Sequence, residues 1–237
     1  MYKLSDEQER LLERFVAAYN RIDSELHKRT GEKGTFSYVL NRYREHKRGW
    51  HDGAELKRLS ELRNVIVHEK TEAYRYAAIP TPEVVDRIEA IYERLTSPKT
   101  AYSEFHQNEV VKVETETTVD EILKIIHRHD FSQFPVYNAN GFVGLLTENG
   151  ITRWLSSYVQ NHESLVELED AKVKDLLALE GKQSNYAFVG REETLDEVIY
   201  LFGENPLLEA ALITQSGRKH EKLIGIATRW DIISKRG

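Results

Sequence analysis

Between residues 117 and 232 the chain runs through one pattern twice, and no other feature restricts its fold as much. TTVDEIL (117–123) sets Val119, Ile122, Leu123 and Ile126 at the spacing of a single helix face, and FPVY, the turn NANG and VGLLTENGI follow. ETLDEVI (193–199) does the same with Leu195, Val198, Ile199 and Phe202, and AALIT, the turn-like QSGRKHEK and IGIATRWDI follow. The apolar period switches from helical to alternating in the same order each time. Thr118 aligns with Thr194 and Thr147 with Thr228, the second copy having a longer, charged hairpin. A unit of about 50 residues buries too little apolar surface to be stable alone. The two copies are therefore expected to pack together and to enclose a cleft between equivalent strands.

The preceding segment is different in kind. Leu11, Leu12, Phe15, Tyr19, Ile22 and Leu26 follow a helical spacing behind Ser5 and Gln8, a capping-box pair, and Gly31 supplies a stop. Phe36, Val39, Leu40 and Tyr43 mark a second helix, and Leu56, Leu59, Leu62 and Ile66 a third. Thr81-Pro82 opens a fourth that carries Val85, Ile88, Ile91, Tyr92 and Leu95. The expected fold class is α+β: an N-terminal four-helix bundle over residues 1–96, a linker at 97–107, and a tandem of two β-α-β units over 108–237, divided into 108–160 and 161–237. Charge follows the same division. Residues 1–96 are nearly balanced at +1, and the remainder carries −7, which gives −6 for the whole chain.

The duplicated order TVDEIL, FPVY, GLLT against TLDEVI, ALIT, GIAT, with the terminal TRWDI, resembles a pair of cystathionine-β-synthase (CBS) domains, a regulatory module also called a Bateman module. That resemblance implies an adenosyl ligand: AMP, ATP or cyclic di-AMP ahead of S-adenosylmethionine. Thr228 lies where a strand hands over to a helix, so its hydroxyl and the following backbone N–H groups suit a phosphate. Asp231, an acceptor-only group three positions on, can receive both hydroxyls of a ribose, the role that the resemblance also gives it. Arg229 is placed either to add charge toward the phosphate or to face water. The resemblance implies that the base lies around Val111, on the first strand of the opposite copy, and Ala210, on the strand leading into the site, is the further position expected near it. A second reading of Thr228 and Asp231 stands beside the first, namely a capping box with a shorter acid. In the first copy Gly150 replaces the acid, so the first pocket is expected to be weak or empty.

In the helical segment, LRNVIVHEK holds Arg63, Asn64 and His68, which looks like the Arg-Asn-x-x-x-His motif of the higher eukaryote and prokaryote nucleotide-binding (HEPN) domain. Many members of that family are metal-independent ribonucleases acting as dimers, so the resemblance implies a homodimer with RNA as substrate. The chemistry fits: histidine titrates near neutrality and moves protons, and arginine offers a fork to a phosphoryl transition state. Five helical steps separate Arg63 from His68 by roughly 140°, so they converge only if the helix unwinds or two protomers face each other. Basic RYREHKRGWH (42–51), with Tyr43 and Trp50 interleaved, either holds a single strand by charge and stacking or is a solvated loop. Whether the helical domain is an enzyme stays open. The alternative is a non-enzymatic ligand-binding module whose helices serve dimerisation or partner docking.

Other classes are set aside. The chain has no cysteine, which excludes disulfides, thiolate nucleophiles and Cys-based zinc sites. His127 and His129 point to different sides of a helix without a third ligand, so no metal is expected. No apolar stretch approaches the roughly 20 residues that span a bilayer, and MYKLSDEQER lacks the apolar core of a signal peptide. The expected location is cytoplasmic, with no membrane or DNA partner.

Overall fold

Capping chemistry starts most of the helices in the computed structural model, which describes residues 4–68, 76–161, 170–180 and 185–234. It divides into two compact units, Met1–Lys99 and Thr100–Gly237. In the first, Ser5 and Gln8 close a reciprocal capping box ahead of α1 (Asp6–Thr30), and Gly31 ends it at φ 69°. Thr35 caps α2 (Phe36–His46), α3 spans Gly53–His68, and Pro82 begins α4 (Pro82–Thr96). The four helices share one core, to which Phe15, Ile22, Leu26, Val39, Leu56, Ile66, Val85, Ile88 and Ile91 contribute. Asp52, 2 % exposed, joins that core through a forked bond with Arg94.

The second unit repeats its own construction. After α5 (Ala101–Phe105) come β1 (Val113–Glu114), α6 (Val119–His129), β2 (Gln133–Asn138), β3 (Gly141–Thr147) and α7 (Glu148–Asn161). After α8 (Val173–Leu177) come β4 (Tyr186–Gly190), α9 (Leu195–Glu204), β5 (Ala210–Thr214), β6 (Gly225–Thr228) and α10 (Arg229–Ser234). Each half forms a three-stranded sheet, β1-β2-β3 or β4-β5-β6, whose first pair is parallel and second antiparallel. The repeated T-V/L-D-E has a physical reason: Thr118 with Glu121, and Thr194 with Glu197, each close a capping box at the crossover helix.

Two five-residue helices are exchanged between the halves. Ala101 and Phe105 of α5 are buried among Val189, Val198, Phe202, Ala211 and Ala227 of the second half. Val173 and Leu176 of α8 are buried among Val113, Val119, Ile122, Leu146 and Trp154 of the first. Segment 97–107, expected as a linker, thus holds a helix that the second half's core requires. The two sheets meet over Phe142, Leu145, Ala210, Leu212 and Ile226, where the Phe142 ring packs edge-on to Tyr186 and Phe188. Two asparagines fasten this junction symmetrically. Asn108 Nδ2 donates to Ile226 O (3.0 Å), and Asn185 Nδ2 to Leu145 O (3.3 Å). Among the described residues no helix is long and apolar enough to cross a membrane.

Candidate functional site

Within IGIAT, the strand β6 begins at Gly225, close beneath α5. A Cβ on Gly225 would lie 3.1 Å from the carbonyl oxygen of Phe105 and 3.2 Å from Ile213 Cδ1, so a larger residue would have to displace these neighbours slightly. The strand ends at Thr228, paired with Ala210, and α10 begins at once. Here Asp231 folds back on Thr228. Thr228 N and Thr228 Oγ1 both donate to Asp231 Oδ2 (2.7 Å each), and Asp231 N donates to Thr228 Oγ1 (3.3 Å). The capping box is therefore formed. It also fixes the carboxylate, since the bonds described to Asp231 from Thr228 go through Oδ2 and set the direction of Oδ1.

The corresponding place in the first half is occupied differently. Thr147 ends β3, and Gly150 N donates to Thr147 Oγ1 (3.1 Å) as Asp231 N does to Thr228. Gly150 has no carboxylate to return, but Glu180 supplies one from 33 positions beyond Thr147. Thr147 N and Thr147 Oγ1 donate to Glu180 Oε1 at 2.5 and 2.9 Å. Asn185 Nδ2 reaches Glu180 Oε2 at 3.4 Å, near the long limit of a hydrogen bond. A Cβ on Gly150 would collide with this carboxyl group, so the glycine is what admits Glu180. The acid that the motif lacks at Gly150 is thus replaced at Thr147 by one from outside the motif. Burial raises Glu180 above its usual carboxylate value, the bonds from Thr147 oppose that shift, Arg153 lowers it and Glu209 adds to it.

The remaining expected positions separate. Arg229 Nη2 donates to the carbonyls of Asn205 (3.1 Å), Pro206 (2.9 Å) and Leu208 (2.7 Å), and its guanidinium lies over Phe202. Its charge is engaged by the loop after α9. Ala210 is buried beside Thr228, whereas Val111 packs against the core of the first half. In the helical unit, Arg63 lies over the Tyr19 ring with 5.3 Å to its centroid, and its Nη1 is 3.5 Å from Asn64 Oδ1. Burial pushes the Tyr19 phenol up to about 12, with Asp23 adding to the shift and Arg63 opposing it. His68 ends α3, and its side chain lies outside the described residues. Tyr43 is buried, meeting Trp50 edge-on at 4.8 Å, so this aromatic pair packs inward.

Glu180, Asn108 and Asn185 escaped sequence reading. Only the asparagines carried a signal, since NEVVKV and NYAFVG place each at the same offset before an apolar run. Among the described residues no group of three or more His, Asp or Glu could hold a metal ion.

Compared with known proteins, residues 103–157 match the CBS domain family. No curated protein matches the chain. Solved structures similar to it include the CBS domain of a CBS-domain-containing membrane protein from Sphaerobacter thermophilus, at 16 % identity, covering 64 % of this chain and 96 % of that one, with a TM-score of 0.46. Another is the CBS domain pair of protein MJ0100 in complex with 5′-methylthioadenosine and S-adenosyl-L-methionine, at 16 % identity, covering 59 % and 97 %, TM-score 0.44. A conserved protein from Pyrococcus horikoshii has 20 % identity, covers 59 % and 92 %, and has a TM-score of 0.44.

Proposed function

We propose that the second unit is a CBS pair that senses an adenosyl ligand in the cytoplasm, and that it regulates the helical unit of a homodimer. The observation that carries this reading is the Thr228–Asp231 pair. A hydroxyl and a carboxylate locked to each other at a strand-to-helix junction leave Asp231 Oδ1 oriented as an acceptor, the chemistry required for a vicinal diol. The CBS match at residues 103–157 supports the same reading. AMP is the first probe, with ATP, cyclic di-AMP and S-adenosylmethionine beside it. At a hundredfold excess over Kd a ligand stabilises its folded target by about 2.7 kcal/mol. AMP is therefore expected to raise the melting temperature, and Asp231→Ala to weaken binding at this site about tenfold to a hundredfold, the worth of a hydrogen bond to a charged group. An identical AMP-induced shift in wild type and variant removes Asp231 from the site.

The helical unit is read as HEPN-like, a metal-independent ribonuclease with Arg63, Asn64 and His68 as its catalytic set. The Arg-Asn-x-x-x-His spacing of Arg63, Asn64 and His68 on α3 supports this reading. Cleavage of single-stranded RNA that persists in EDTA and is lost in His68→Ala is the expected result; equal cleavage by that variant ends it. A second reading, a non-enzymatic dimerisation or docking surface, is favoured by the use of Arg63 over Tyr19 and of Tyr43 against Trp50 in packing.

A further inference from the structure

The two strand-to-helix junctions carry the same bonds from different parts of the sequence. At the second, an acid inside the motif receives Thr228 N and Oγ1 on one oxygen. At the first, an acid from beyond α8 receives Thr147 N and Oγ1 on one oxygen. We propose that Glu180 is the diol-binding carboxylate of a complete first site, so that each chain holds two adenosyl ligands. This rests on the reading of Thr228 and Asp231 given above, and extends it to a residue that no repeat motif contains.

Three features support the substitution. The bonds from Thr147 hold Oε1 and thereby aim Oε2, as those from Thr228 hold Oδ2 and aim Oδ1. Asn185, which fastens β3 from the other half, also donates to Glu180 Oε2, so the carboxylate is supported from both halves of the unit. The three atoms nearest a Cβ built on Gly150 all belong to Glu180, so the glycine and the glutamate are complementary: one vacates the space that the other fills. A carboxylate used only as a cap would do the same for Thr147, and experiment separates the two roles.

The test is calorimetric titration of the full chain with AMP and with 2′,3′-dideoxyadenosine monophosphate, which lacks the diol. Wild type is expected to bind two AMP per chain and to bind the dideoxy compound at least tenfold more weakly. Glu180→Ala and Glu180→Gln each weaken the first site at least tenfold and leave the second unchanged; the glutamine keeps an acceptor for Thr147 and so guards against misfolding. Asp231→Ala loses the other site. The double variant Glu180→Ala with Gly150→Asp moves the acid into the motif and is expected to regain two sites. One AMP per wild-type chain, lost in Asp231→Ala and untouched by either Glu180 variant, overturns the proposal and leaves the Thr228 site standing. Two AMP per chain with only the melting temperature changed in the Glu180 variants also overturns it, since Glu180 is then a cap. Absence of binding by wild type to AMP, ATP, cyclic di-AMP and S-adenosylmethionine overturns the underlying reading and this proposal with it.

Discussion

Asp52 shows what one buried carboxylate demands of its neighbours. Arg94 Nε and Nη2 meet its two oxygens at 3.0 and 2.6 Å, a forked pair joining the start of α3 to the end of α4. Removing one partner leaves a desolvated charge, and the cost exceeds the net value of the pair. Because the arginine is half exposed and His51 stands 3.4 Å from Asp52, the loss in Arg94→Ala is expected near the lower end, about 2–3 kcal/mol, measured as a fall in the urea midpoint. Glu180 presents the opposite balance. Burial raises it above the usual carboxylate value of 4.5, so as pH rises through that value the unfolded chain ionises first and the folded state loses relative stability up to Glu180's own higher value. Glu180→Gln is expected to remove that fall: the stability difference in the variant's favour grows as pH rises from 4.5 to Glu180's own higher value and is constant above it. A constant difference across the interval would show that Glu180 titrates normally.

At the scale of elements, the β5–β6 hairpin is organised by one acid. Glu221 receives Ser216 N at 2.7 Å, Ser216 Oγ, and Arg218 N at 3.4 Å, and the bond from the Ser216 side chain is the largest cause of a pKa lowered to about 2. A depressed carboxylate stabilises the folded hairpin above its unfolded value of 4.5 and loses that contribution as pH falls through about 2. The Glu221 carboxyl resonance is expected to titrate near the lower number; a midpoint at the ordinary value would detach it from Ser216. The strands and crossover helices around this hairpin were legible in the sequence because their caps and periods are local: T-V/L-D-E announces a helix, and alternating apolar residues between turn residues announce a strand. The exchange of α5 and α8 was not. Five residues are too few to show a period, and the faces they bury are met only in the other half. Glu180 was hidden for a related reason, since its partner lies 33 positions away and its signature at the junction is a glycine, which reads as a missing acid. The side-chain chemistry of Arg229 suggests a phosphate or water, and says nothing of the three carbonyls that the loop after α9 turns toward it.

Exchange of the short helices has a consequence for the second unit as a whole. Phe105, 1 % exposed, precedes both sheets in sequence but completes the core of the later one, while Leu176 follows the earlier sheet and completes that one. Neither half can bury its core without chain that belongs to the other's end of the sequence. The sheets are tied again by the reciprocal asparagine bonds and by the Phe142 cluster between them. Such a unit should open as one. Phe105→Ala removes a fully buried aromatic, at a cost of about 3–5 kcal/mol for a large-to-small change in a packed core. If the halves are coupled, hydrogen exchange in this variant quickens by the same factor in β2–β3 as in β5–β6, although the deleted ring belongs to the core of the second half. Faster exchange confined to β4, β5 and β6 would mean that each sheet opens independently, and the exchanged helices would then be only local caps. Coupling of this kind is also what a two-site sensor requires, since ligand at either junction can act on the whole unit only if the two halves share one folded state.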